Sequence, residues 1–308
     1  MQTSSHQPVS AHNSPPNPSS ATISLCICTR NRPEDLTRCL ESVSECDTQP
    51  FEIIVSDDST DPAPTQAVTD SYPNVTYQRG PCLGLGPNRN ACIRSAQGSH
   101  LIFTDDDVCV PADFFAKAIA LIEQSPEAVI TGYEMKHRSW EGTAGTTKKV
   151  IPHNADFWGT MHIPIDGRPC CSVVMNSAIF PKSLFTQALF DECLRYGYEE
   201  LDISRHAVSL GYPILYRDSL YVDHYQSLVD RKDNRRFVYA SQLYTTAKAY
   251  FYYERSLPKT LTYALLAPLK ITGSLVKREG PAALVQGAKA TALAYRYFFT
   301  AQKVAIGR

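Results

Sequence analysis

The sequence predicts an α/β fold in which a mainly parallel, mixed sheet is flanked by helices and followed by a helical C-terminal extension. Two observations favour this class. Short apolar runs alternate with amphipathic stretches between residues 23 and 131, and three helical stretches follow from residue 235. Because alternating strands and helices require crossover connections, most strands should be parallel, with helices on both faces of the sheet.

The predicted elements follow in chain order. The predicted strands are residues 23–29, 51–56, 75–78, 100–104, 128–131 and 213–222. Helical apolar spacing predicts helices at residues 33–45, 88–96, 111–124, 181–189 and 200–210. Residues 133–171 lack periodicity, so we expect a long loop or an irregular excursion that shapes a ligand site through Trp140, Trp158 or His162. Pro258 and Gly280–Pro281 separate the three C-terminal helices.

Three regions of the chain differ in composition. Residues 1–21 are too polar to form a core, so we expect a disordered tail that is not a secretory signal. Residues 22–232 form the predicted α/β domain, and residues 233–308 form a basic helical extension. From residue 237 to 308, ten Lys and Arg residues stand against two acidic residues, a net charge of +8 that leaves −9 for residues 1–236. This asymmetry predicts a cation partner for the first part and an anionic surface for the second.

The overall composition is that of an ordinary globular protein, with 43% hydrophobic and 20% charged residues. The ten cysteines form no Cys-x-x-Cys pair, so we expect reduced thiols in a cytoplasmic protein, or in one at the inner face of the membrane. No Gly-x-Gly-x-x-Gly follows the first strand, and no P-loop motif occurs. These absences from the sequence argue against dinucleotide enzymes and P-loop NTPases.

The sharpest motif is the acidic run Asp105–Asp107 at the end of the predicted strand 100–104. Adjacent carboxylates repel one another unless a cation or hydrogen bonds offset their charge. Because side chains alternate along an extended chain, Asp105 and Asp107 should share one side. Mg²⁺ and Mn²⁺ bind carboxylates together with phosphate oxygens, so the run predicts a site for a cation and a diphosphate. Alternatively, the carboxylates cap the helix that begins near Pro111.

Polar residues also follow the first two predicted strands, at the same edge of the sheet. Asp57 and Asp58 follow the second strand, where a carboxylate can accept hydrogen bonds from a ribose or a base. The alternative there is an ordinary Asx turn. Thr29, Arg30 and Arg32 follow the first strand, where arginines and backbone donors ahead of a helix favour an anion.

Taken in order, five segments resemble the family 2 glycosyltransferases, which have the GT-A fold. The segments are Thr29-Arg30-Asn31-Arg32, Val55–Thr60, Arg89-Asn90-Ala91, Phe103–Val108 and Tyr198–Asp202. The resemblance implies a GT-A catalytic domain at residues 22–232. It also implies transfer of a sugar from a nucleotide-diphosphate sugar to an acceptor hydroxyl, with Mn²⁺ or Mg²⁺ and with inversion at the anomeric carbon.

The resemblance further implies roles for individual residues. The implied nucleotide-sugar contacts are Thr29, Arg30, Asp57, Asp58, Arg89, Asp105 and Asp106. The implied metal ligands are Asp105, Asp107 and His224, with Asp105 and Asp107 forming the Asp-x-Asp element. As general base we select Glu200, which stands where the family usually has Asp. Asp202 points away from Glu200 on a helix and is better explained as a first-turn carboxylate favoured by the helix dipole.

The partners follow from the same resemblance. We expect a saccharide or lipid-linked acceptor in polysaccharide or glycolipid synthesis, and no nucleic acid. The C-terminal helices either pack on the catalytic domain or a second subunit, or make a peripheral membrane contact. Two other functions stay open. A nucleotidyltransferase acting on a sugar phosphate should carry a Gly-rich loop after its first strand, and a non-catalytic nucleotide-sugar-binding module would need no base.

Overall fold

The computed structural model describes residues 21–137, 147–165, 168–226 and 234–306, and it confirms the predicted fold class. The strands are β1 (Ile23–Thr29), β2 (Glu52–Asp57), β3 (Val75–Arg79), β4 (His100–Asp105), β5 (Val108–Cys109), β6 (Val129–His137), β7 (Lys148–Val150), β8 (Asn154–Ala155), β9 (Met161–Ile163), β10 (Ala178–Pro181) and β11 (Ile214–Tyr225). The α-helices are α1 (Pro33–Ser44), α2 (Ala63–Thr69), α3 (Leu85–Ser95), α4 (Phe114–Gln124), α5 (Glu199–Ser209), α6 (Arg235–Lys248), α7 (Leu257–Glu279) and α8 (Ala283–Ile306).

The central sheet is mixed but mainly parallel. Its strand order in the described residues is β3-β2-β1-β4-β10-β6-β11-β5. Strand β7 pairs antiparallel with residues 134–136 of β6. Strands β1 to β4 are parallel to one another, as predicted, and β6 pairs with β11 in parallel. Strand β10 lies antiparallel between β4 and β6. The carboxyl ends of β1, β2 and β4 therefore open on one edge of the sheet.

Strand β1 belongs to the core of the protein, since all seven of its residues are buried. Alternate side chains enter two different apolar clusters, as the period of a strand requires. Ile23, Leu25 and Ile27 pack with α1 and α4, whereas Cys26 and Cys28 pack with α3, α5 and β10. Burial of both faces explains why β1 is a continuous apolar run rather than an alternating one.

The structure corrects the sequence prediction in three places. Residues 133–171 are not one long loop, because β6 continues to His137 and β7, β8 and β9 follow. Residues 181–189 form a short 3₁₀-helix, Lys182–Thr186, and not an α-helix. Strand β10 and helix α2 were not predicted, because segments of four and seven residues give too little periodicity to detect.

The C-terminal helices share a third apolar cluster with the rest of the chain. Tyr244 of α6, Tyr263 of α7 and Tyr297 of α8 are buried together with Leu194, which precedes α5. Trp158 packs against the same cluster. A π-helical segment, Ala249–Tyr253, joins α6 to α7, and Pro258 lies in the first turn of α7. In the described residues, no helix is both long enough and apolar enough to cross a membrane.

Candidate active site

A cleft of about 810 Å³ opens at the carboxyl edge of the sheet. Thr29 at the end of β1, Asp58 just after β2 and Asp105 at the end of β4 contribute to its wall. Ligands of α/β proteins bind at this edge. The opposite wall comes from Glu134 on β6 and from the beginning of α5.

The acidic run forms the floor of this cleft. Strand β4 ends at Asp105, and Asp106 and Asp107 form a turn before β5, so the strict alternation that we expected stops there. The guanidinium of Arg32 lies 3.0 Å from a carboxylate oxygen of Asp106 and 3.0 Å from one of Asp107. Thr29 Oγ1 donates to Asp106 Oδ2 at 2.8 Å. Burial raises the pKa of Asp106 to about 7, although the charge of Arg32 opposes this shift.

These contacts exclude the alternative in which the acidic run caps the next helix. Helix α4 begins at Phe114, and Asp113 occupies its N-cap position. Asp105 Oδ1 instead lies 3.4 Å from Nη2 of Arg89, with which it forms an ion pair. The backbone N–H of Asp105 donates to Asn176 Oδ1 at 3.0 Å. The run is therefore held in place by groups that surround the cleft.

Strand register brings His224 to the acidic run. Strand β11 pairs antiparallel with β5, which places His224 opposite Val108, and the backbone N–H of Tyr225 donates to the carbonyl of Asp107 at 2.8 Å. His224 Nε2 lies 3.2 Å from Asp107 Oδ1. One potential ligand atom from each of Asp105, Asp107 and His224 falls within 4.8 Å of the others.

A second carboxylate holds the other side of the His224 ring. Strands β6 and β11 pair so that Glu134 Oε2 lies 3.0 Å from His224 Nδ1, and Asn176 Nδ2 donates to the same oxygen at 3.1 Å. Burial lowers the pKa of His224, but its hydrogen bonds to Asp107 and Glu134 outweigh burial and raise the pKa to about 9. Burial raises the pKa of Glu134, whereas His224 and Lys136 lower it to about 2.

The structure gives different surroundings to Asp57, the last residue of β2, and to Asp58, which follows it. Asp58 lines the cleft and Asp57 does not, so the nucleotide contact by Asp57 stays a prediction, and Asp58 is the one of the pair that faces the cleft. Asp57 is fully buried, accepts the Ser59 backbone N–H at 2.7 Å and is bonded by Tyr77 and Arg79. It forms the Asx turn that was the alternative interpretation, and this turn presents Asp58 to the cleft.

A glycine allows close packing around Asp58. A Cβ on Gly80 would overlap Asp58 Oδ1 and Asn88 Oδ1. Asn88 also lines the cleft, and its amide donates to the carbonyl of Ser56 at 3.0 Å. In the part of the chain that the structure describes, the buried Oδ1 of Asn88 has no hydrogen-bond partner. The accepting capacity of this oxygen is unused among the described residues.

The cationic residues implied by the resemblance also reach the cleft. Arg30 is exposed at the mouth, and Arg89 is buried beneath it. Arg89 lies 5.4 Å from the ring centroid of Phe190, so its position is fixed by packing as well as by Asp105. Both guanidinium groups can meet an anionic ligand.

Helix α5 places two further carboxylates in the cleft. Gly197 and Tyr198 both have positive φ, 80° and 71°, and this double left-handed turn aims the helix N-terminus at the cleft. Such a conformation is costly for Tyr, and strain of this kind is concentrated at functional sites. Glu199 and Glu200 both line the cleft. Asp202 does not, because it is buried against Lys248 at 2.7 Å.

The two glutamates differ in their surroundings. Glu199 is 5% exposed, and its Oε1 accepts the backbone N–H of Gly197 at 3.0 Å, whereas Glu200 is partly exposed. Burial and the neighbouring charge of Glu200 raise the pKa of Glu199 to about 7. Burial also raises the pKa of Glu200, while the charge of Arg89 lowers it. A carboxylate with a raised pKa can take up a proton near neutral pH.

Several groups in the cleft were not predicted from the sequence. Arg32 was predicted only as part of a basic segment after the first strand, and Glu134, Lys136 and Asn176 were not among the predicted site residues. Glu134 and Lys136 are two residues apart, so they lie on the same face of a strand. This spacing is typical of a strand and could have been used to predict both residues. Asn176 belongs to a short 3₁₀-helix, Met175–Ser177, and carries no such signal.

The residues expected to shape the acceptor site do not line the cleft as described, and their role stays a prediction. Trp158 packs against the third apolar cluster, and the side chain of His162 is 61% exposed outside the cleft. Trp140 lies outside the described residues. His153 and Met161, from the same region, do line the cleft.

Comparison with known proteins identifies the family. The profile described as glycosyl transferase family 2 matches residues 24–185, more than half of the chain. This chain belongs to glycosyl transferase family 2. The match includes β1 to β4, the acidic run and most of the cleft wall, but it ends before α5 and His224.

Curated relatives of this family 2 chain align over part of their length. An uncharacterized glycosyltransferase of Haemophilus influenzae is 28% identical over 104 residues, 34% of this chain and 35% of that protein. The succinoglycan biosynthesis protein ExoM of Rhizobium meliloti is 25% identical over 147 residues, 46% of each chain. The alignments thus span less than half of each of these relatives.

Solved structures share the GT-A fold of this family 2 chain. A structure of GalNAc-T7 with UDP, GalNAc and Mn²⁺ superposes with a TM-score of 0.61 at 19% identity, covering 83% of this chain and 54% of that one. Residues 1–349 of TarS from S. aureus superpose with a TM-score of 0.52 at 18% identity, covering 92% and 91%. At these identities the likeness shows the fold alone.

Proposed function

We propose that the protein transfers a sugar from a nucleotide-diphosphate sugar to an acceptor hydroxyl. The observation that carries this proposal is the convergence in one cleft of the cluster Asp105, Asp107 and His224 with the candidate base Glu200. A non-catalytic binding module does not need a candidate base beside its ligand. Membership of glycosyl transferase family 2 supports the same activity.

The residues of the cluster fit a divalent cation. Two carboxylates and one imidazole form a donor set that suits Mn²⁺, and Glu134 on His224 Nδ1 is the outer-shell partner typical of metal-bound histidines. Asp105, Asp107 and His224 would hold the ion, and Mg²⁺ is the alternative at a site rich in oxygen ligands. When bound, the cation would offset the negative charge that develops on the departing nucleoside diphosphate. GalNAc-T7, which has the same fold, contains Mn²⁺ and UDP in its structure.

The donor nucleotide would lie along the ends of β1 and β2. Asp58 and the unpartnered Oδ1 of Asn88 can accept hydrogen bonds from a base or a ribose. Arg30 and Arg89 would neutralise phosphate charge. Thr29 and Asp106 would contact the nucleotide sugar from the floor of the cleft. The hydrogen bond between them orders the turn there.

The chemical step would be a single displacement with inversion. The acceptor oxygen forms its bond to the anomeric carbon as the bond to the diphosphate oxygen breaks, and Glu200 takes the proton of the hydroxyl. The acceptor would be a saccharide or a lipid-linked sugar, in polysaccharide or glycolipid synthesis, with a hexose as the transferred group. The relationship to ExoM, whose name refers to succinoglycan biosynthesis, supports this class of acceptor.

Calorimetry with a panel of nucleotide sugars, with and without Mn²⁺, tests the proposal when it is followed by product analysis. We expect one nucleotide sugar to bind in a cation-dependent manner and to release a nucleoside diphosphate. The variant Asp107→Ala should lower turnover by at least about 100-fold, because the loss of an outer-shell partner alone costs up to that factor. Undiminished turnover in excess EDTA, or in a correctly folded Asp107→Ala protein, would contradict the role of the cluster.

The same experiment separates the two other functions. Release of pyrophosphate from a nucleoside triphosphate and a sugar phosphate would identify a nucleotidyltransferase. Tight binding of a nucleotide sugar without turnover of any acceptor would identify a binding module. Either result would replace the proposed sugar transfer.

A further inference from the structure

Helix α7 presents a line of leucines to solvent. Leu257, Leu261, Leu265 and Leu269 recur every four residues and are 60%, 62%, 71% and 70% exposed. Residues spaced by four lie one above the other on a helix, so these side chains form one continuous stripe. We call this stripe the leucine face. Isolated exposed leucines are common, but a contiguous apolar stripe marks a contact surface.

Packing among the residues that the structure describes does not cover the leucine face. A second set on α7, Tyr263, Ala267, Ile271 and Leu275, also recurs every four residues and is buried in the third apolar cluster. The two sets lie about 120° apart around the helix axis, because six residues at 100° each separate Leu257 from Tyr263. Helix α7 therefore has two apolar faces, and the fold covers one of them.

Helix α8 extends the same surface. The close approach of α8 to α7 depends on Gly287, where a Cβ would overlap the side chain of Thr272. Tyr295 Oη donates to the carbonyl of Ala264 at 3.0 Å, so α8 lies directly beside the leucine face. Val285 and Phe299 of α8 are exposed as well, at 59% and 61%.

The charges around this surface are almost all positive. Residues 257–306 contain seven Lys and Arg residues and one acid, Glu279, which is bonded to Arg235 and Arg278. Lys277 continues the line of the leucine face, and Lys289 and Arg296 lie on the exposed side of α8. A second copy docked here by a twofold axis would place like charges opposite one another. An anionic surface has the complementary charge.

We propose that the leucine face of α7, together with the exposed side of α8, binds the anionic leaflet of a lipid membrane. The leucines insert among the acyl chains at the interface, and the Lys and Arg side chains meet lipid phosphates. The helix lies in the plane of the interface and does not cross the bilayer. This surface is separate from the cleft and does not depend on the proposed sugar transfer.

Flotation of the full chain with vesicles tests this inference. We expect the protein to float with vesicles of phosphatidylglycerol and phosphatidylcholine in equal parts, and not with phosphatidylcholine alone. The double variant Leu261→Ser/Leu265→Ser should reduce partitioning by about tenfold or more, because each leucine contributes buried apolar area. The matched control is Phe51→Ser, which removes an exposed apolar side chain at 50% exposure just before β2 and should float like the wild type.

Three results would overturn the inference. The first is equal binding to neutral and anionic vesicles, and the second is unchanged binding by the leucine variant when circular dichroism shows that it is folded. The third is a concentration-dependent dimer without lipid that the leucine variant abolishes, because the leucine face would then be a contact between two copies.

A charge variant, Lys289→Glu/Arg296→Glu, should lose binding chiefly at low salt, where electrostatic attraction is least screened.

Discussion

At the scale of single residues, the two adjacent glutamates at the start of α5 have different tasks. Glu199 is buried and holds the turn through the backbone N–H of Gly197, whereas Glu200 is partly exposed to the cleft. Glu200 is therefore the better candidate to meet an acceptor hydroxyl. Asp202, two residues further on, is neutralised by Lys248 and cannot share this role.

Replacement of each glutamate by glutamine distinguishes these tasks. In Glu200→Gln we expect turnover to fall by about 10²–10⁴-fold, since a general base contributes that much, while donor binding measured by calorimetry stays unchanged. Glu199→Gln is the matched control, because glutamine keeps an acceptor for Gly197 and should keep most of the activity. Full activity in Glu200→Gln would remove the assignment of the base.

The pH profile of the same variants adds a second readout. The base acts only when ionised, so turnover should rise with pH through the raised pKa of Glu200. Loss of the neighbouring negative charge in Glu199→Gln should favour ionisation of Glu200 and move the acidic limb of the profile to lower pH. An unmoved limb would indicate that Glu200 is not the titrating group.

At the scale of elements, one lysine joins three segments of the chain. Lys248 at the end of α6 lies 2.6 Å from Asp191 and 2.7 Å from Asp202 of α5. Burial lowers the pKa of Lys248, but the two aspartates and nearby tyrosines outweigh burial and raise it well above its ordinary value. This buried ion cluster fixes the helix that carries Glu200 to the C-terminal helices.

Loss of this lysine should destabilise the protein strongly. In Lys248→Met, two buried carboxylates lose their counter-charge, and we expect the free energy of unfolding to fall by about 3–5 kcal/mol. The midpoint of urea unfolding measures this change. Lys259→Met is the control, because Lys259 pairs with Glu254 on the surface and its loss should change stability by less than about 1 kcal/mol. Equal effects of the two variants would contradict the argument.

At the scale of the whole molecule, the C-terminal helices belong to the core of the protein. The third apolar cluster joins Leu194 and Tyr244 to Tyr263 and Tyr297, so it spans the predicted boundary between residues 232 and 233. The division into two domains at this boundary remains a prediction, but the two parts do not have separate apolar cores. The basic extension both packs inward and presents the leucine face outward.

Truncation after Arg255 should therefore fail to give a native protein. Removal of α7 and α8 would expose Tyr244 and Tyr250, which are now buried against them, and apolar surface of this kind drives aggregation. We expect dye binding to exposed apolar surface and loss of a cooperative thermal transition. The Leu261→Ser/Leu265→Ser protein should melt like the wild type, because its substitutions lie outside the core. A truncated chain with the wild-type melting temperature would show that the helices are dispensable.

The sequence by itself determined the fold class and the edge of the sheet at which the cleft lies. Both follow from local information, because apolar periodicity indicates strands and helices, and the ends of parallel strands meet at one edge. The acidic run Asp105–Asp107 was recognisable for the same reason. Short elements such as β10 escaped prediction because four residues carry too little periodic signal.

Only the tertiary structure decided which side chains meet. The contact of His224 with Asp107 and Glu134 depends on the register of β11 against β5 and β6, which are far apart in sequence. The distinction between Asp57 and Asp58 depends on a turn that encloses Asp57 and places Asp58 in the wall of the cleft. The same holds for α7, whose sequence shows two apolar stripes without revealing which one the fold covers. Pairing and burial are properties of distant segments brought together, so a local pattern cannot contain them.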